Sequence, residues 1–387
     1  MDIITQSFNK LKDYCEKEEF RGWDPYDGLN SKVFRFFQFH RIKFFRLAWI
    51  QLFKRSPINF RRITLVNKGY NPKGLGLFLT GYCNLYKIEP KPEYFKKINW
   101  LANKLIELKT PGYSGVCWGY NFDWQARGGL FFPTGTPTVV ATTFAAYGLL
   151  DAWEITNNKE FYDVALSSAD FVLNDLNRTY KNDGSFLFSY SSISGNNTVY
   201  NASLLGSKLL ARVYHYTKNE ALLEVSKQSV KACINAQNED GSWLYGELPI
   251  QNWIDSFHTG FNLESLQEYL KYTGDITDKD AIRKGTLYYL NNFFSEGGVP
   301  KYYHNRTYPI DIHCPAQLLT TLYKLNIIKQ NNQLLENVLQ WTIENMQSSK
   351  GYFYYQLKPK ISSKISYMRW SQAWMFYSMS YYLLSKK

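Results

Sequence analysis

Residues 153–162 read WEITNNKEFY, and turns of the same kind recur at 86–95 (YKIEPKPEYF), 214–223 (YHYTKNEALL), 271–280 (KYTGDITDKD) and 323–332 (YKLNIIKQNN). Each closes a stretch rich in small and apolar residues and opens a more charged one. Several carry a Thr, Asn or Asp suited to N-capping the second stretch. From Glu89 through Thr156, Thr217, Thr273 and Asn326 to Ser385 the steps are 67, 61, 56, 53 and 59 residues, one helical hairpin per step. Apolar spacing of helical period runs from end to end. It predicts an opening helix at 3–19 and others near 33–54, 74–87, 91–108, 137–155, 158–177, 199–216, 219–237, 256–273, 277–294, 312–328, 332–347 and 366–385.

The six helices ending near 88, 155, 216, 272, 325 and 384 are rich in Ala, Gly, Ser, Leu and aromatics, and the intervening ones carry Lys and Glu on one face. The first set predicts an inner ring and the second an outer ring, with one of the first two helices as the sixth outer partner. The expected fold is therefore all-α, an (α/α)6 toroid occupying 1–387 as one domain, with 20–73 as an N-terminal extension. Return connections at 109–136, 178–198, 238–255, 295–311 and 348–365 are long and rich in Gly, Trp and Tyr. They gather at the end where the inner helices begin, which places a cavity there.

Aromatics make up 18% of the chain, with 31 Tyr, 26 Phe and 11 Trp, more than a core requires. Rings with one apolar face and a polar handle suit the stacking of sugars, although bulky packing between helices is the plainer use. The net charge of +12 points to an acidic partner, with no nucleic-acid signature beside it. Five cysteines (Cys15, Cys83, Cys117, Cys233, Cys314) form no C-x-x-C pair, and the start MDIITQSFNK has no apolar leader, so a reducing, cytoplasmic setting is expected. In 31–56 eight aromatic rings, from Phe34 to Phe53, are mixed with seven Lys and Arg. Such a helix is too charged to span a bilayer, yet it suits the inner face of a membrane as a peripheral contact; the alternative is packing on the toroid.

Four stretches hold the candidate site residues. In GYSGVCWGYNFDWQARGG (112–129), Trp118, Tyr120 and Trp124 can stack on sugars, Asp123 and Gln125 can bond hydroxyls, and Arg127 can pair with a carboxylate or phosphate. In NWIDSFHTGFNLESL (252–266), Asp255 and His258 share one helical face as an acid/base pair, with Asn262 one turn on; the alternative for Asp255 is a simple N-cap. PIDIHCPAQLL (309–319) supplies Asp311, His313 and Gln317 at the matched position of the next repeat, and SYMRWSQAWMFYS (366–378) supplies Arg369, Trp370 and Gln372, with Arg369 the best grip for an anionic group. Tyr303 and Tyr120 are candidate proton carriers. No metal-ligand spacing such as H-x-x-x-H occurs, and neither a metal nor a cofactor is expected. Gln237-x3-Gly241-x-Trp243 matches a pattern that ties outer helices together in terpenoid cyclases. With no D-x-D-D beside it, that match supports the toroid and not cyclisation.

With CWGYNFDWQ, DGSWLYGE, DSFHTG and RWSQAW in view, the chain resembles bacterial polysaccharide-biosynthesis proteins of the six-hairpin, glycosidase-like type over nearly its whole length. The resemblance implies a setting in capsule or exopolysaccharide synthesis, among relatives that include glycoside hydrolases, uronyl epimerases and polysaccharide lyases. It transfers no catalytic residue. The expected partner is an oligosaccharide, polysaccharide or lipid-linked glycan, possibly acidic. The leading expectation is cleavage or transfer of a glycosidic bond by acid/base carboxylates. Alternatives are epimerisation or elimination on a uronic acid, a non-catalytic glycan-binding scaffold, and a prenyl toroid with an apolar pocket.

Overall fold

The computed structural model describes residues 2–126, 128–277 and 279–387, and they form fourteen α-helices with three small two-stranded sheets. In order the helices are α1 (Ile3–Lys17), α2 (Lys32–Phe36), α3 (Lys43–Arg55), α4 (Pro72–Ile88), α5 (Pro92–Glu107), α6 (Val139–Thr156), α7 (Lys159–Asp170), α8 (Tyr200–Thr217), α9 (Glu220–Asn235), α10 (Ser256–Thr273), α11 (Lys279–Asn292), α12 (His313–Lys324), α13 (Asn332–Met346) and α14 (Ala373–Ser385). Helices α4, α6, α8, α10, α12 and α14 each pack on the next, and α14 closes back onto α4. Outside them α5, α7, α9, α11 and α13 pack on their inner partners, while α1 lies against α13 and α14 and completes the second ring. The fold is the (α/α)6 toroid that the repeats predict.

Small residues let the inner ring close. A side chain on Gly76 of α4 would meet the Phe144 carbonyl oxygen of α6 at 2.4 Å, so only glycine permits this approach. The repeated turn also has a local cause. Thr156 and Thr217 are the last helical residues, and each hydroxyl donates to a carbonyl four residues back, Ala152 O at 2.8 Å and Val213 O at 3.0 Å. Next come Asn157 and Lys218 in the left-handed region (φ 53° and 55°), which ends the helix. Asn158 and Asn219 then accept from the amides of Glu160 and Ala221 and cap the outer helices. Capping therefore falls to the Asn, and the Thr finishes the helix before it.

Gln237 ties repeats together as its motif predicts. Its amide donates to Gly241 O and to Ala281 O of α11, each at 2.9 Å, while Trp243 Nε1 donates to Cys233 O at 2.9 Å. Gln347, Gly351 and Phe353 repeat the device: the Gln347 amide donates to Gly351 O at 2.9 Å and to Ser7 O of α1 at 3.0 Å.

The predicted helix at 33–54 is broken. Helix α2 ends at Phe36, Gln38 takes a left-handed conformation (φ 57°), and α3 starts at Lys43. One face of this segment packs: Leu29, Phe34 and Ile50 form a small core that extends to Trp124 and Phe131, and Trp49 stacks on Phe34 at 4.9 Å. All five cysteines are buried and unpaired. Among the described residues no helix is long and apolar enough to cross a membrane.

Candidate active site

At the end where the inner helices begin, a cavity of about 530 Å³ opens, within the range of small-ligand sites. Aromatic rings form much of its wall, among them Tyr26, Tyr120, Trp124, Tyr190, Tyr245 and Trp253.

Asp255 precedes α10 and is its N-cap, accepting from the His258 amide at 3.0 Å. The same carboxylate also takes Trp253 Nε1 at 2.9 Å and His258 Nδ1 at 2.7 Å. Capping and orienting are thus two jobs of one residue. Because a carboxylate only accepts, Nδ1 carries the hydrogen and Nε2 is left basic on a ring that borders the cavity.

One repeat on, Asp311 accepts from the His313 amide at 3.0 Å, from Trp370 Nε1 at 2.9 Å and from the Gln356 amide at 2.9 Å. His313 itself is buried, and neither ring nitrogen has a hydrogen-bond partner. Burial first, then the positive charge of Lys73, holds it well below the usual histidine range, so it is a neutral imidazole. Its ring stacks on Phe257 at 4.6 Å, and Phe257 touches His258 at 4.2 Å, so one phenyl ring links the two histidines on the cavity wall. Buried polar groups ordinarily find a partner. An orphaned imidazole beside a cavity is poised for a ligand.

Burial raises the Asp311 carboxyl to about 6 against the three donors that oppose it. The folded chain therefore holds this proton more tightly than the unfolded chain. The resulting stabilisation is full below the ordinary carboxylate value and is lost as pH rises from about 4 to about 6, a swing of roughly 3 kcal/mol. An infrared band of protonated carboxyl is expected at about pH 5 and gone by about pH 7, and Asp311→Asn should remove part of it, the remainder belonging to Asp27, which burial also raises to about 6. A band already absent at the lower pH would mean that the donors outweigh burial.

Lys73, in the first turn of α4, was not anticipated. It is buried, lines the cavity, and sits over the rings of Phe144, Phe261 and Trp374 at 4.9, 5.3 and 5.1 Å. Burial first, then Arg369, pushes its ammonium well below the usual lysine value. Its sequence signal was a lone charge opening an otherwise small and apolar inner helix. At the mouth, Lys54, Arg55 and Lys358 also line the cavity, and burial together with the other two cations lowers Lys358. Asp311 is the one carboxylate among the described residues of this lining.

The other expected site residues divide. Tyr120, Trp124, Tyr303 and Trp370 line the cavity, as does Gln125, whose amide is engaged by Arg46 Nε at 2.9 Å and Leu130 O at 2.8 Å. Arg369 reaches the cavity too, but its guanidinium is committed to Asp24 through bonds of 2.5 and 2.8 Å, so it is not the free anion grip that was expected. Trp118 does not stack on a ligand: it is fully buried, with Nε1 donating to Leu105 O at 2.7 Å. Asp123 faces away from the cavity to pair with Arg35 at 2.9 Å and to cap the loop at Thr134. Gln372 clasps the backbone of Phe353 at 2.8 Å on both N and O, and Gln317 bonds Glu264 and Thr321 deeper in the ring. Asn262 lies one turn below His258 beside a small separate pocket. Arg127 lies outside the described residues. No three His, Cys, Asp or Glu side chains gather as metal ligands would among the described residues.

A closed double ring of hairpins with its loops over an aromatic cavity is an (α/α)6 toroid. No family model matches the sequence. Similar solved structures include a cellobiose 2-epimerase from Bacillus thermoamylovorans (12% identity, 82% of this chain and 88% of that one, TM-score 0.63) and an unsaturated glucuronyl hydrolase specific for heparin (9%, 99% and 96%, TM-score 0.63). A family 76 α-mannanase from Bacteroides thetaiotaomicron is similar as well (13%, 82% and 87%, TM-score 0.61). At these identities the likeness is one of fold.

Proposed function

We propose that the chain is an enzyme that moves a proton on a carbon of an acidic sugar, an epimerase or isomerase acting on a uronic acid or similar anionic glycan, free or lipid-linked. The observation that carries this reading is the pair of histidines at matched repeat positions, joined through Phe257 on one cavity wall. His258, held as the Nδ1–H tautomer by Asp255, is one proton carrier of the reaction, and the neutral His313 is the other. Lys54, Arg55 and Lys358, without a carboxylate partner among the described residues, favour a substrate carboxylate, whose charge in turn restores the ammonium of the buried Lys73. Removing a proton next to a carboxylate or carbonyl builds negative charge on that group, and a fixed ammonium in a dry site is the complement it needs. Sugar faces stack on Tyr120, Trp124 and Trp370.

Glycosidic cleavage calls for two carboxyl groups flanking the bond. Among its described residues the lining offers one carboxyl, Asp311, which already accepts three hydrogen bonds, so proton transfer is the better supported chemistry. In this proposal the step belongs to the assembly of an acidic surface glycan, a reading that the resemblance of the sequence to polysaccharide-biosynthesis toroids supports.

The test is incubation of the chain with hexuronic acids and acidic oligosaccharides in deuterated water, followed by NMR. One carbon-bound deuterium next to the carboxylate or carbonyl, appearing with the epimer or isomer, is the expected result. New reducing ends without carbon-bound deuterium would replace this reading with bond cleavage.

A further inference from the structure

Between Asp27 and Glu89 the chain has no acidic residue. On this segment Phe36, Phe37, Phe39, Phe44 and Phe45 are exposed, Phe36 by 80% and Phe44 by 71%. The rings run edge to edge as one patch, with centroid separations of 5.2 Å (Phe36 to Phe37), 5.9 Å (Phe37 to Phe39), 5.0 Å (Phe39 to Phe45) and 5.7 Å (Phe45 to Phe44). Exposed Ile42 belongs to the same stretch, and Lys32, Arg41 and Lys43 are exposed within it. The patch is held in place from behind, because Phe34, Ile50 and Phe53 of the same segment are buried. Segment 31–56 thus presents two faces, one packed and one left to solvent.

A contiguous apolar patch of this kind marks an interaction surface. Aromatic rings beside cations, with no carboxylate, are the composition of a surface that seats in the headgroup layer of a membrane. A second copy of the chain is a poor occupant, since an isologous contact would set one basic segment, without an acidic residue of its own, against another. We propose that this face docks on an anionic lipid bilayer, with Phe36, Phe37, Phe39, Phe44 and Phe45 in the interface and Lys32, Arg41 and Lys43 against the headgroups. The geometry gives the contact a use. Helix α3 runs from Phe44 and Phe45 at the patch to Ile50, Lys54 and Arg55 in the cavity lining. Ten residues of helix span about 15 Å. Docking therefore holds the basic mouth close to the membrane surface, where a lipid-linked glycan presents its sugars. This use rests on the proposed function, but the docking does not.

Flotation of the full chain with neutral phosphatidylcholine vesicles, and with vesicles carrying about 30% anionic phosphatidylglycerol, tests the contact. Binding to the anionic vesicles alone, weakened at about 0.5 M salt, is the expected result. Charge removal by Lys32→Gln/Arg41→Gln/Lys43→Gln is expected to cut partitioning about a hundredfold, near fivefold per cation. Phe36→Ser/Phe44→Ser is expected to cut it about tenfold or more with circular dichroism unchanged. No vesicle binding by the unaltered chain, or equal binding by both variants, overturns the proposal. So does a dimer in solution that Phe36→Ser/Phe44→Ser dissolves while vesicles are ignored, which would assign the face to a second copy. Because lipid binding is read without any sugar, it fails or stands separately from the isomerase reading.

Discussion

Replacing His258 or His313 with glutamine is expected to lower interconversion of the sugar epimers by about 10²- to 10⁴-fold, the usual contribution of a positioned acid or base. In a reaction with one base on each face, both are needed for inversion, but only one is needed to exchange the proton with solvent. Each single variant should therefore lose inversion while keeping deuterium exchange from the epimer that presents its proton to the surviving histidine. The double variant should lose both. Asp255→Asn keeps the helix cap, since Asn caps about as well as Asp, but it no longer fixes the Nδ1–H tautomer of His258. It should lower the rate less than His258→Gln. Unchanged inversion in both single histidine variants would end the proton-transfer reading. Loss of inversion and exchange together in each one would instead point to a single base working with a distant partner.

The ring architecture was legible because its cause is local. A Thr that bonds back, a left-handed residue and an Asn cap are consecutive in the chain at two of the turns, around Thr156 and Thr217. The matched Asp-x2-His and Asp-x-His entries were legible for the same reason. Loop residues were harder to read. Trp118 and Trp124 are six apart in one Gly-rich stretch, and composition cannot tell which ring turns into the core and which into the cavity; the indole bond to Leu105 decides it for Trp118. The break at Gln38 carries no Gly or Pro to announce it. In the sequence the lone charge of Lys73 equally suits a solvated lysine at a helix end, and only ring closure, which brings α6, α10 and α14 around it, makes it buried. Pairings across hundreds of residues leave no local trace at all, and Asp24 with Arg369 is the clearest case.

That pair sets the second large effect. Arg369→Ala is expected to destabilise the fold by about 3–5 kcal/mol, because it strands a buried carboxylate without a partner. Burial opposes the charge of Arg369, and Asp24 more than restores it, leaving the guanidinium above its ordinary pKa. The bond is also a clasp, since it fixes the 20–30 stretch to the entry of the last inner helix beside the cavity. Arg369→Lys keeps the charge but loses the two-pronged geometry and should fall between. The double change Asp24→Asn/Arg369→Met removes both charges and should recover much of the loss, since a neutral pair carries no uncompensated ion. Urea unfolding midpoints measure all three. The same variants separate clasp from grip: a clasp predicts that folded Arg369→Lys binds an acidic sugar nearly as tightly as the unaltered chain, since the guanidinium is already taken up by Asp24. A midpoint left unmoved by Arg369→Ala, with acidic-sugar binding lost, would return Arg369 to the role its sequence position first implied, and the substrate carboxylate would then sit against Arg369 instead of Lys73.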